Sequence, residues 1–190
     1  MSEELLQSVQ SHYGESAFRR LLAWQKLIVE DGSRSDLEKL KVANNFFNQL
    51  QFIEDSIQWK TKDYWATPVE FLSMGGGDCE DFSLAKYFTL KALGISEQKL
   101  NLTYVKAVQL NQAHMVVTYY ATPGAVPLVL DNLVAAIKPA TDRKDLIPVY
   151  SFNGLGLWLA KSRGKGQKVG SGDNLKRWQD LLGRMPVGLN

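Results

Sequence analysis

The chain has 190 residues, 45% of them hydrophobic and 22% charged, and its 22 basic and 20 acidic side chains leave a formal net charge of +2. This is the composition of one globular domain, 1–190, with enough chain for a buried core and without the concentrated basic surface that nucleic acid demands. A single cysteine excludes an internal disulfide, no apolar run is long enough to span a membrane, and the opening MSEELLQSVQ carries no basic stretch followed by an apolar core, so no secretory signal is visible.

The N-terminal third reads as helix. Between Glu15 and Val29, the apolar residues Phe18, Leu21, Leu22, Trp24, Leu27 and Ile28 recur with helical period and predict a packing stripe. DGSRSD, residues 31–36, is a break. A second helix is predicted from about Ser35 to beyond Phe52, with Leu37, Leu40, Ala43, Phe46, Phe47, Leu50 and Ile53 inward. Thr67-Pro68-Val69-Glu70 is a helix start with a capping residue, a proline at the first position and a glutamate able to close a capping box. Three glycines, 75–77, stop that helix. The next is predicted from about Cys79 to Leu93, ended by Gly94, with Phe82, Leu84, Ala85, Phe88 and Ala92 inward.

The pattern then changes to strands, at 102–108, 113–121 and 126–133, with 147–152 and 155–159 extending the sheet. Short connections favour antiparallel neighbours. Residues 162–174 read as a loop whose basic side chains are solvated, and 175–182 as a last helix. The fold class is α+β: helices first, packed on an antiparallel sheet within one domain.

The stretch GGGDCEDFS, residues 75–83, holds the only cysteine. Cys79 falls at a predicted helix N-terminus, where free backbone N–H groups and the helix dipole favour a thiolate and can stabilise the oxyanion formed on attack at a carbonyl. The glycines permit a tight turn and leave the backbone open to an incoming chain. A buried structural thiol is the alternative. A nucleophile needs a base. Of the two histidines, His12 lies in a polar segment, whereas His114 lies in the second strand, on one face with Val116, Thr118 and Tyr120. Asp131 is a lone carboxylate in the apolar run VPLVLDNLV, where it is costly unless paired; it suits an orienter for His114 or a strand-end turn. GGGDC lacks the Gly-Lys-Ser/Thr ending of a phosphate loop, and one cysteine with two distant histidines makes no zinc site.

GGGDCEDFSLAKYFTL, AHMVVTYY, VLDNL and the upstream DYWATPVEF together resemble the bacterial transglutaminase-like cysteine proteases, in particular those that process biofilm adhesins in the periplasm. The resemblance covers nearly the whole chain. It implies a transglutaminase-like, papain-like fold with the nucleophile at a helix N-terminus. Cys79 would be that nucleophile, His114 the general base and then acid, and Asp131 the orienter. It also implies calcium dependence. Asp78, Glu80 and Asp81 crowd the thiol with negative charge, which opposes thiolate formation, and a calcium ion bound by these carboxylates would relieve it. Trp65 or Tyr64 would supply an oxyanion donor. Further implications are a periplasmic location with a signal peptide missing from this chain, a large surface adhesin cut at a double-alanine-type site to promote biofilm dispersal, and an inner-membrane cyclic-di-GMP receptor that sequesters the protease. A transglutaminase or amidase, and a non-catalytic protein-binding module, remain the competing functions.

Overall fold

A computed structural model describes residues 1–159, 167–170 and 176–186. Three helices open the chain: α1 (Glu3–Tyr13), α2 (Glu15–Asp31) and α3 (Asp36–Phe47). α1 arises where the sequence showed no clear stripe. α3 starts at a capping box in which Ser35 and Glu38 satisfy each other's backbone N–H. It stops at Phe47 rather than running beyond Phe52. Gln51–Phe52 (β1) is drawn instead into a parallel pair with Gly76–Gly77 (β2), a partner more than twenty residues away that no local pattern reveals.

A single turn, α4 (Asp55–Gln58), follows, then α5 (Pro68–Met74) and α6 (Cys79–Ala92). The Thr67–Glu70 box predicted for α5 is present, and Gly75 ends that helix at φ 80°, a left-handed conformation that favours glycine. Leu22, Leu37 and Ala92, expected inward, are exposed. Leu22 lies off the buried Ala17–Leu21–Trp24 row, Leu37 sits in the outward first turn of α3, and Ala92 in the last turn of α6.

The main sheet has seven strands: β3 (Leu100–Ala107), β4 (Gln112–Tyr119), β5 (Leu128–Leu130), β6 (Lys138–Pro139), β7 (Leu146–Asn153), β8 (Gly156–Leu159) and β9 (Gln167–Gly170). All pairs are antiparallel, in the order β6-β5-β4-β3-β7-β8-β9. β9 falls inside the segment expected as a loop, whose remaining residues and basic side chains lie outside the described residues. The last helix, α7, runs Lys176–Arg184.

α6 is the central element and is buried on nearly every side. One core joins Leu84, Phe88 and Leu90 of α6 to Leu102, Met115, Val117 and Phe152 of the sheet and Trp178 of α7. A second joins Phe82 and Ala85 to Leu21, Trp24, Phe47 and Phe71 of the other helices. The opposite sheet face carries a smaller cluster of Val105, Val116 and Val129. This packing fixes the N-terminus of α6 against the sheet.

Candidate active site

The entry to α6 is a closed set of hydrogen bonds. Asp78 caps the helix, accepting from the N–H groups of Glu80 (3.1 Å) and Asp81 (3.5 Å), and Asp81 returns the contact to the Asp78 N–H (3.3 Å). The second oxygen of Asp81 accepts from the Ala66 N–H at 2.8 Å, which ties the helix start to the strand of chain before α5. Gly76 and Gly77 make room for this arrangement. A Cβ on Gly77 would lie 2.2 Å from the Asp81 carboxylate, and one on Gly76 2.4 Å from the Gln51 carbonyl oxygen.

β5 ends at Leu130, opposite Val117, so residues 112–116 of β4 have a free edge on that side. The first turns of α6 occupy it. The Ser83 hydroxyl donates to the Met115 carbonyl at 2.9 Å, and the Met115 N–H faces the Cys79 sulfur. Cys79 is thereby set beside the backbone of the residue that follows His114. Its thiol donates to Glu80 (2.7 Å), and burial, reinforced by the Glu80 and Asp78 charges, pushes it well above the usual thiol range.

His114 pairs with Val105 in the sheet and shares the face of Val116, as strand alternation predicts. Its Nε2 meets Asp131 at 2.7 Å, leaving Nδ1 as the second ring nitrogen. Both side chains are almost fully buried. Asp131 also accepts from Arg143 at 2.6 Å and from the Leu133 N–H at 3.0 Å, and Arg143 in turn pairs with Asp145 at 2.8 Å. Burial works to raise Asp131, but the hydrogen bond and charge of His114, with Leu133 and Arg143, outweigh it and hold the carboxyl at about 2. A second buried cation, Lys86 of α6, also feels this carboxylate.

The acids at the helix start behave oppositely. Asp55, Asp63, Asp78, Glu80 and Asp81 are near enough for their charges to act on one another. Carboxylate oxygens of Asp55, Asp78 and Asp81 fall within 4.8 Å of one another, as do ligand atoms of Asp78, Cys79 and Glu80. Among the described residues, Asp63 has an ion pair, with Arg177 at 2.7 Å; the other four acids have none. Burial first, then the neighbouring carboxylates, raises Asp78 to about 9 and Asp81 well above its ordinary value. Asp55 Oδ2 accepts from the Tyr64 N–H, while its buried Oδ1 has no donor among the described residues. A convergent all-oxygen group with uncompensated charge and an orphaned acceptor fits a hard divalent cation. Asp55 extends the expected set, and Asp81, already engaged by two backbone N–H groups, shapes the site as well as offering oxygen.

The two candidate oxyanion donors differ. The Tyr64 hydroxyl is committed, donating to Glu70 (2.9 Å) and accepting from Arg184 (2.7 Å). The Trp65 indole N–H is buried and unpaired among the described residues; the Asp63 carboxylate feels it without completing a hydrogen bond. The Trp65 ring stacks on Phe152 and leans on Tyr104, whose hydroxyl reaches Glu80 at 3.1 Å.

Residues 25–146 match the model of the bacterial transglutaminase-like cysteine proteinases. The chain belongs to that family. It is 43% identical to Legionella pneumophila LapG in its EGTA-treated structure, with a TM-score of 0.86 and 97% of each chain covered. It is 44% identical to the calcium-bound structure of the same protein, with a TM-score of 0.83 over 98% of this chain and 100% of the other. No curated protein matches. For this cysteine proteinase, sequence reasoning singled out Cys79, His114, Asp131 and the acids Asp78, Glu80 and Asp81, which the structure gathers around the start of α6 and β4, but it did not single out Asp55, Arg143 or Lys86. Asp55 and Arg143 join the site only through tertiary contact. Lys86 was detectable, because Cys79, Phe82, Ser83 and Lys86 share the i, i+3, i+4, i+7 row of α6.

Proposed function

We propose that the protein is a calcium-dependent cysteine endopeptidase that cuts a large bacterial surface adhesin near its N-terminus, at a site between two small residues of the double-alanine type. Release of the adhesin then promotes biofilm dispersal. The observation that carries this reading is the buried 2.7 Å His114–Asp131 pair on the strand against which Cys79, at the start of α6, is docked.

In this mechanism the Cys79 thiol gives its proton to His114 Nδ1, while Asp131 holds Nε2–H and with it the ring orientation. The thiolate attacks the scissile carbonyl. The oxyanion draws on the Cys79 N–H, the first of α6, and on the Trp65 indole N–H, which is unpaired among the described residues. His114 then protonates the leaving amine as the C–N bond breaks. A water deprotonated by the same ring attacks the thioester, and the thiol is regenerated as the new carboxyl product departs. Asp55, Asp78, Glu80 and Asp81 would hold the calcium, with Asp63 beside them. The ion supplies the positive charge that lets several carboxylates ionise together beside the thiol.

The calcium-bound LapG structure supports this cofactor, and family membership supports a peptidase. The further reading follows the resemblance to adhesin-processing proteases: a periplasmic enzyme, sequestered by an inner-membrane receptor for cyclic di-GMP.

The test is mass spectrometry of an adhesin fragment with a double-alanine segment, incubated with the protein in calcium, in chelator, and as folded Cys79→Ala. Cleavage is expected with calcium alone, and Cys79→Ala should lower it by ~10³-fold or more. Undiminished cleavage by Cys79→Ala overturns the reading, and incorporation of an added amine in place of hydrolysis would move it to acyl transfer.

A further inference from the structure

The peptide unit between Trp65 and Ala66 is held on both sides. Its N–H, on Ala66, donates to Asp81 of α6 at 2.8 Å, and its carbonyl, on Trp65, accepts from Arg184 Nη2 at 2.6 Å. Arg184 is the last residue of α7 and reaches this carbonyl from 119 residues further along the chain. Its other terminal nitrogen donates to the Tyr64 hydroxyl at 2.7 Å and pairs with Glu70. The guanidinium lies over the Tyr64 ring, 4.5 Å from its centroid. One planar cation thus joins Tyr64, Trp65 and Glu70, which a point charge on a flexible stem does less well.

Neither neighbouring helix depends on these bonds for its place. Trp178 and Leu181 bury α7 in the main core, where Trp178 stacks on Phe88 and meets Phe152 edge-on. α5 is capped by its own Thr67–Glu70 box. What Arg184 adds is a fixed carbonyl on Trp65, whose indole N–H is buried and unpaired among the described residues. A peptide plane pinned at both its N–H and its carbonyl sets the torsion that aims the Trp65 side chain. Phe152 and Tyr104 then hold the ring itself, in the same core against which Cys79 packs.

We propose that Arg184 is a positioning residue for the candidate oxyanion donor: acting through the Trp65 carbonyl, it keeps the Trp65 indole N–H where it meets the oxyanion formed on attack by Cys79. The inference rests on the role given to Trp65 above. Such a donor works only within hydrogen-bond reach of the developing charge, and a misplacement of about 1 Å can cost about 100-fold in rate. Arg177, two turns earlier on α7, supplies the comparison. It pairs with Asp63 at 2.7 Å and so grips the same segment by a side chain rather than by the Trp65 peptide.

Hydrogen exchange of the indole N–H groups, followed by NMR in calcium, tests the positioning without substrate. The chain has five tryptophans, and Trp65→Phe assigns the Trp65 signal. Trp24, bonded to Thr89 at 2.8 Å, reports on the helical core, and Trp178 on the docking of α7. In Arg184→Gln the Trp65 indole should exchange about tenfold faster or more, because a charge-assisted bond holding its backbone is lost. Trp24 and Trp178 should be unchanged, and Arg177→Gln should leave Trp65 as it was. Unchanged Trp65 exchange in Arg184→Gln overturns the proposal. So does faster exchange of Trp65 and Trp178 together, or an equal effect of Arg177→Gln, either of which assigns Arg184 to attachment of α7. With the double-alanine adhesin fragment, Arg184→Gln should lower kcat by about 10- to 100-fold at constant KM, and adding Trp65→Phe should lower it little further. A raised KM with kcat intact overturns the proposal. Faster Trp65 exchange in a protein whose wild type cleaves no fragment keeps the grip of Arg184 on Trp65 and discards the peptidase reading alone.

Discussion

Asp131 is a buried and Asp78 a half-buried carboxylate within one site, yet the first is held at about 2 and the second at about 9. The difference is in what surrounds them. Asp131 has His114 and Arg143 in contact. Asp78 has Glu80, Asp81 and Asp55. Burial penalises both; only the first has its compensating cations supplied by the polypeptide. The two regions meet at Cys79, which abuts β4 beside His114 and donates its S–H hydrogen bond to Glu80. One side of the thiol is electrostatically complete, and the other is built to be completed from outside.

The largest way to break this contrast is to take a cation from the complete side. Arg143 is almost fully buried and binds both Asp131 and Asp145. Arg143→Ala should cost about 3–5 kcal/mol of stability at pH 7, measured by urea denaturation, because a buried carboxylate loses a charge partner. The pH dependence identifies the cause. Asp131 is depressed below its unfolded value of about 3.9, so its stabilising contribution is full above that pH and fades as pH falls toward about 2. The deficit of Arg143→Ala should shrink over that window. A deficit independent of pH would assign the loss to packing.

How much of this was readable beforehand depended on the range of the interaction. The Thr67–Glu70 box and the helix start near Ser35 are local, and the residues beside them in sequence are enough to read both. His114 and Asp131 stood out because strand alternation and an apolar run make a polar residue conspicuous. The overrun of α3 beyond Phe52 came from the reverse situation: Gln51–Phe52 takes its conformation from Gly76–Gly77, which local propensity does not register. Arg143 and Asp55 belong to the same class, since nothing near them in sequence shows which carboxylate or backbone N–H they reach. Asp81 was read as a ligand candidate, whereas its structural task, bonding to Ala66 and filling the space above Gly77, required coordinates.

A smaller effect sharpens the other half of the comparison. Saturating calcium, at about 100 times its dissociation constant, should add about 2.7 kcal/mol to the stability of the chelated protein. Here the sign runs opposite to Asp131. Asp78 is raised above its unfolded value, so forcing it to ionise in the fold costs stability progressively from about pH 4 to about pH 9. In chelator the melting temperature should therefore decline across that range, and the gain on adding calcium should grow with it. A calcium gain that is flat with pH would show that the cluster is already neutralised from within.

The smallest expected effect separates crowding from coordination. Glu80 accepts the Cys79 thiol on one oxygen and the Tyr104 hydroxyl on the other, and its charge acts on Asp55, Asp63, Asp78 and Asp81. Glu80→Gln keeps an acceptor there but removes one negative charge. In chelator this should raise stability by about 1 kcal/mol, since like charges beside a buried group are relieved. In calcium the order should invert, with the wild type the more stable, because a ligand has been lost. Differential scanning calorimetry of both proteins in both conditions reads the crossing directly. Parallel changes in the two conditions would mean that Glu80 contributes charge to the site without holding the ion, and that its principal role is the hydrogen bond to the thiol.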